Sequence, residues 1–196
     1  PQPERVLAIG AHPDDVEVGV AGILSAHRAA GDEVTILTLS RGMRDGGIEG
    51  AWREGSRSAA VIGARLVLEE AIAGATDAIR KVIEEFDPTI VYTHTRNDDN
   101  HDHRVVHDAT LLAAHKVRTV ACYQGSGATV DFRPTRFVTI DGHTDDKLAM
   151  LACFGDDERP DYLEADFALA TARAWSRYGG GTYAEALEIV RDSATV

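Results

Sequence analysis

The hydrophobic positions of this chain follow two rhythms. Six short apolar runs read as strands: RVLAIG (5–10), EVTILTL (33–39), ARLVLEE (64–70), TIVYTHT (89–95), RTVACYQ (118–124) and RFVTID (136–141). Several are β-branched and continuously apolar, as strands covered on both faces are. Between them apolar residues recur at helical spacing. Over 16–30, Val16, Val20, Ile23, Leu24 and His27 share one stripe, and Gly31 is a stop signal. Residues 51–62, 76–86 and 104–116 repeat the pattern, and Asp87-Pro88 closes the stretch at 76–86. The alternation predicts an α/β fold with a mostly parallel sheet and helices on both faces.

The C-terminal third has a different pattern. Residues 144–154 and 161–177 read as helices, GGG at 179–181 breaks the chain, and TYAE (182–185) opens a last helix through a capping-box pattern. The expectation is a single domain over 1–196 that ends in a helical segment.

Composition narrows the function. A length of 196 residues is enough to bury a full core, and 44% hydrophobic content is that of a globular chain. No apolar run approaches the roughly 20 residues that span a bilayer. PQPERVLAIG has no basic region followed by a long apolar stretch, so no signal peptide is expected and the cytoplasm is the expected location. Cys122 and Cys153 form no CxxC and read as buried free thiols. The net charge of −12 excludes a nucleic-acid backbone as main partner, because phosphate binding needs a basic face. Neither a membrane nor a nucleic acid is expected as a partner; a small molecule is. Self-association into a homo-oligomer is left open.

Two polar clusters carry the chemistry. In an open α/β sheet ligands bind outside the carboxyl ends of the strands. RVLAIG delivers His12, Pro13, Asp14 and Asp15 to that edge, with Gly10 allowing a tight turn. One Asp would satisfy a helix N-cap; two carboxylates and an imidazole exceed that need. A dinucleotide turn is disfavoured, because GxGxxG is absent and carboxylates would repel a pyrophosphate. A divalent metal accounts for the cluster better, since imidazole and carboxylate are ordinary zinc ligands and a remaining carboxylate can serve as base.

The second cluster, YTHTRNDDNHDHRVVHDATLLAAH (92–115), leaves the strand at 89–95 and so reaches the same edge. His94 reads as a histidine at a strand end, and His107 and His115 as helix-surface residues. His12, Asp15 and one histidine of 101, 103 or 107 would give three protein ligands and one open position, the catalytic arrangement of a metal site. Arg41, Arg44 and the glycine-rich stretch 42–50 read as a rim over the pocket or a plain surface loop.

AHPDD after the first strand, with DHR after a later one, resembles the PIG-L/LmbE-like family of zinc-dependent N-deacetylases. The resemblance extends through TLSRG, Glu54, DPTIVYTH, FRPTRFVTID and Lys147. It implies a Rossmann-like fold and hydrolysis of an N-acyl group, normally N-acetyl, from an amino sugar or related small-molecule conjugate by a metal-activated water. Carried over residue by residue, it implies His12, Asp15 and His103 as ligands of Zn2+ or another divalent metal. Asp14 then matches the general base, and Asp102 a carboxylate that orients His103. Many members read His-Pro-Asp-His where this chain has Asn100-His101-Asp102-His103, so Asn100, or His101 one place along, would have to support the oxyanion. SRGM with Met43, YQGSGAT (123–129) and Gly155-Asp156 also depart from the family's pocket pattern. Two other readings are a zinc amidohydrolase for a non-sugar N-acyl intermediate and a metal-bearing binding module without turnover.

Overall fold

The computed structural model describes residues 2–42, 47–155 and 159–193. Seven strands form one sheet: β1 (Arg5–Gly10), β2 (Glu33–Thr38), β3 (Arg65–Leu68), β4 (Ile90–His94), β5 (Thr119–Tyr123), β6 (Arg136–Thr139) and β7 (Ala184–Asp192). Their order is β3-β2-β1-β4-β5-β7-β6. The first five are parallel, and β7 runs antiparallel to both β5 and β6. The helices are α1 (Asp15–Ala29), α2 (Gly47–Ile62), α3 (Ala75–Phe86), α4 (His101–Ala113), α5 (Thr144–Leu151) and α6 (Ala165–Gly179). The architecture is α/β and Rossmann-like.

Strand β1 shows why continuously apolar runs are needed. Val6 and Ala8 enter a core shared with α1, α2, α5 and α6, whereas Leu7 and Ile9 enter a second core with α3 and α4. Side chains alternate across a strand, so a strand with helices on both faces has no solvent-facing positions. After β1 the chain passes to β2 on one side, and after β4 to β5 on the other. The carboxyl ends of β1 and β4 therefore flank a topological switch point, where open α/β sheets leave a crevice.

The last element corrects the sequence reading. Residues 184–192, expected as helix after TYAE, are strand β7. Local preference for helix is overridden because β5 and β6 leave a slot that only an extended segment can fill with backbone hydrogen bonds. The alternation then becomes functional. Leu187 and Ile189 join the α1 core, and Glu185 points the same way. Glu188, on the opposite face, accepts from Thr95 Oγ1 at 2.6 Å and from Arg133 N at 2.8 Å.

Glu185 and Lys147 bind this C-terminal strand to the first helix. Lys147 Nζ donates to Glu185 Oε1 at 2.7 Å and to the carbonyls of Val18 and Glu17 at 2.8 and 3.1 Å. Glu185 also accepts from the backbone N–H groups of Gly22 and Ile23 at 3.1 and 2.8 Å. Both charges are buried and fully hydrogen-bonded, the condition under which an ion pair is tolerated away from water.

Helix α1 lies very close to the sheet because two of its residues have no side chain. A Cβ at Gly19 would sit 2.2 Å from Cδ2 of Tyr123, and one at Gly22 would sit 2.8 Å from Ile140. Tyr123 cannot give way easily: it is fully buried and its O–H donates to the carbonyl of Ile9 at 2.8 Å. Among the described residues, no helix is long and apolar enough to cross a membrane.

Gly19→Ala is expected to destabilise the fold by about 3 kcal/mol or more through overpacking. Gly74, where an added Cβ meets nothing within 4 Å and φ is −115°, is the control. Thermal unfolding should show a large loss for Gly19→Ala and little change for Gly74→Ala.

Candidate metal centre

The chain leaves β1 at Gly10 and turns through His12 and Pro13 into α1. Asp14 occupies the N-cap position of α1, yet its side chain makes no capping hydrogen bond, so the plain helix-cap role is unfilled. Its backbone is left-handed, with φ 89°. Such a conformation costs a residue with a Cβ roughly 1–3 kcal/mol, and residues held in it cluster at functional positions. The Asp14 side chain is buried, with its Oδ2 3.5 Å from the hydroxyl of Tyr162.

Asp15 joins the two clusters. Its Oδ2 accepts from the backbone N–H of His12 at 2.7 Å, which closes the turn. The same oxygen is 3.2 Å from His94 Nε2, and Oδ1 is 3.2 Å from His103 Nε2. His94 is the last residue of β4, and His103 lies in the first turn of α4. Among the described residues, the ligand atoms of His12, Asp15 and His103 lie within 4.8 Å of one another, as do those of His94, Asp98 and His103.

The outer trio opens onto a crevice of about 360 Å³ lined by His12, Asp14, Asp15, Asn100, His103 and Tyr162 among others. Two imidazoles and a carboxylate, converging with one side open, are a donor set that fits a divalent cation. Behind them the buried His94 Nδ1, His103 Nδ1 and Asp98 Oδ2 make no directed hydrogen bond, although His103 Nδ1 is 3.0 Å from Asp98 Oδ2. The rings of His94 and His103 stack with centroids 4.0 Å apart.

Of the three histidines considered as the third donor, only His103 reaches Asp15. His101 is exposed at the start of α4. His107 is buried, contrary to its reading as a helix-surface residue, and its Nδ1 donates to the carbonyl of His94 at 2.8 Å. His115 is exposed, as expected. Asn100 lines the crevice and caps α4, its Oδ1 accepting from the N–H of Asp102 at 2.9 Å.

Asp102 does not orient His103. Its Oδ2 lies 2.9 Å from His12 Nε2, and Asp98 stands beside His103 instead. Neighbouring residues on a helix point about 100° apart, so Asp102 faces the first cluster when His103 faces Asp15. Sequence reasoning passes over Asp98. The available signal is the NDD run together with GSG: a Cβ at Gly127 would lie 2.4 Å from Asp98 Oδ1, so the loop at 125–127 must be bare to close over it. Of the rim at 42–50, Gly42 packs against His12 and Pro13, and the Arg41 N–H bonds Glu70. Met43 and Arg44 lie outside the described residues, as does Asp156.

The electrostatics favour a charged centre. Burial alone would raise the Asp15 pKa, but His94 and His103 outweigh it and hold the carboxyl well below the usual range. Burial pushes His94 down, towards the neutral imidazole. It would do the same to His103, but Asp15 and Asp98 prevail and lift that imidazole to about 10. Glu17, in the first turn of α1 and bonded to Ser58 Oγ at 2.6 Å, is pushed up to about 7 by burial.

Several known proteins resemble this chain in sequence or in fold. The PIG-L family model, described as GlcNAc-PI de-N-acetylase, matches residues 7–114. The uncharacterized deacetylase YaiS of Escherichia coli strain K12 is 25% identical over 150 residues, covering 69% of this chain and 81% of that protein. The conserved protein TT1542 of Thermus thermophilus superposes with a TM-score of 0.82 at 23% identity, covering 100% of this chain and 98% of the other. GalB, the 4-carboxy-2-hydroxymuconate hydratase of Pseudomonas putida KT2440, superposes at 0.74 with 18% identity over 98% of both chains. One architecture thus serves different chemistries, and function has to be argued from the site. The matched segment runs from β1 through α4, takes in both polar clusters and spans more than half of the sequence; the chain belongs to the PIG-L family.

Proposed function

We propose that this protein is a divalent-metal-dependent N-deacetylase, removing an acetyl or other acyl group from the amine of an amino sugar or related small conjugate. The observation that carries the reading is the convergence of His12, Asp15 and His103 at the switch-point crevice, with Asp14 beside them on its left-handed backbone. His12, Asp15 and His103 would hold the ion, with zinc the first candidate and iron, cobalt or manganese tolerated by the same donors. When bound there, such an ion supplies a Lewis acid and brings a water pKa from ~16 towards ~7.

The remaining steps belong to the chain. Asp14 accepts the proton of the attacking water and returns it to the leaving amine. Its left-handed backbone aims the carboxylate into the crevice instead of into the helix cap. Asp102 orients His12, and Asp98 orients His103, each holding an imidazole in the rotamer and tautomer that a metal needs. Asn100, fixed as the α4 cap at the crevice wall, offers its amide N–H group to the developing oxyanion.

Release of free amine from N-acetylglucosamine conjugates tests the reading directly. His12→Ala, Asp15→Ala and His103→Ala should each abolish release and weaken calorimetric zinc binding at least about 100-fold. Asp14→Asn should bind zinc as the parent does and lose about 10²–10⁴-fold in kcat; an unchanged kcat would sink the assignment of the base.

Asp98→Ala separates the two supporting carboxylates. It should cost about 10–100-fold in metal affinity, the range seen when the partner of a ligating histidine is lost. Parent affinity in Asp98→Ala would show that His103 is oriented by something else.

A further inference from the structure

Beside the crevice lies a chamber of about 200 Å³, walled by Val18, Leu151, Tyr162, Ala168, Ala172 and Trp175 among others. Tyr162 and Ser126 line both spaces, so the chamber adjoins the crevice that holds Asp14 and His103. Its wall comes largely from α5, α6 and β7, all of which lie beyond the segment matched by the family.

Lys147, Glu185 and Trp175 at its edge have their polar groups already committed. Lys147 directs its three N–H donors to Glu17, Val18 and Glu185, and the oxygens of Glu185 accept from Lys147 and two N–H groups of α1. Gln124 Oε1 accepts from Trp175 Nε1 at 2.7 Å. The remaining surface is mainly apolar, with Ser126 and Thr171 as further polar side chains, and an apolar cavity of about 150 Å³ already holds a benzene ring. At this size the chamber would take a ring or a chain of roughly six carbons.

We infer that the chamber receives an apolar acyl chain of the substrate, so that the protein prefers a medium-chain N-acyl group, about hexanoyl in size, over acetyl. The inference rests on the N-deacetylase reading and extends it to the acyl half. The division follows from the two linings: the crevice, with His12, Asp14 and Asn100, suits the polar amine half, and the chamber, mainly apolar, suits a carbon chain. Burying each methylene is worth roughly fourfold, so a hexanoyl chain seated there should gain at least about tenfold in kcat/KM over acetyl.

The test uses the zinc-loaded full chain and N-acylglucosamines with acetyl, butyryl, hexanoyl and decanoyl groups. Amine release should rise to hexanoyl and fall at decanoyl. Ala168→Phe, which fills the chamber away from the catalytic residues, should bring kcat/KM for hexanoyl down to the value for acetyl. Should that variant fail to fold, Thr171→Leu at the chamber wall is the replacement. Trp175 gives a readout that needs no turnover: hexanoate should change its fluorescence saturably in the parent and not in the filled variant. Equal kcat/KM for acetyl and hexanoyl would overturn the inference while sparing the deacetylase reading. So would an advantage for alkyl glycosides of N-acetylglucosamine in place of longer acyl chains, which would put the amine half in the chamber. Absence of amine release from every amide would overturn the deacetylase reading, and the Trp175 titration would still decide whether the chamber binds carbon chains.

Discussion

A single buried carboxylate holds the functional end of this protein together. Asp15 closes the turn after β1 through the N–H of His12, and its two oxygens face His94 at the end of β4 and His103 at the start of α4. An anion this deeply buried is costly unless its lone pairs are met. The N–H of His12 and the imidazole of His103 meet them, and the contact with His103 fixes the separation between the first and second polar clusters. The crevice, the aim of Asp14 and the positions of Asp98 and Asp102 all follow from that arrangement. A carboxylate with this many structural duties is oriented by the protein itself.

The rear of the same helix is fixed by a different means. Lys147 from α5 and Glu185 from β7 bond to backbone groups of α1 at Glu17, Val18, Gly22 and Ile23. The bare faces of Gly19 and Gly22 let the helix sink onto Tyr123 and Ile140. The C-terminal elements thus support α1 as well as walling the chamber beside it. Variation in α5, α6 and β7 can therefore reshape the chamber while the metal-side geometry stays anchored by β1, β4 and α4.

Much of this was legible in the chain itself. The six apolar runs became β1 to β6, most plainly β1, β2, β4 and β5, because a strand enclosed on both faces cannot hide its pattern, and the helical stripe at 16–30 with Gly31 marked α1 to within a residue. The strand-edge positions of His12, Asp14 and Asp15 followed from the same pattern. The last element went the other way. TYAEALEIVRD carries helix-favouring residues and a capping pattern, and nothing local to it reveals that a slot awaits between β5 and β6.

The sequence by itself determined the layered α/β frame, the sheet edge that bears the chemistry and the residue types available there, because periodicity and turn signals are local properties. Tertiary structure alone decided that His103, and not His101 or His107, meets Asp15, and that Asp98 and Asp102 stand beside different histidines. It alone decided that a distant glutamate would neutralise Lys147. Those outcomes depend on the direction in which each residue leaves its helix or strand and on what another segment brings to meet it, and neither is written in the spacing of a single stretch of chain.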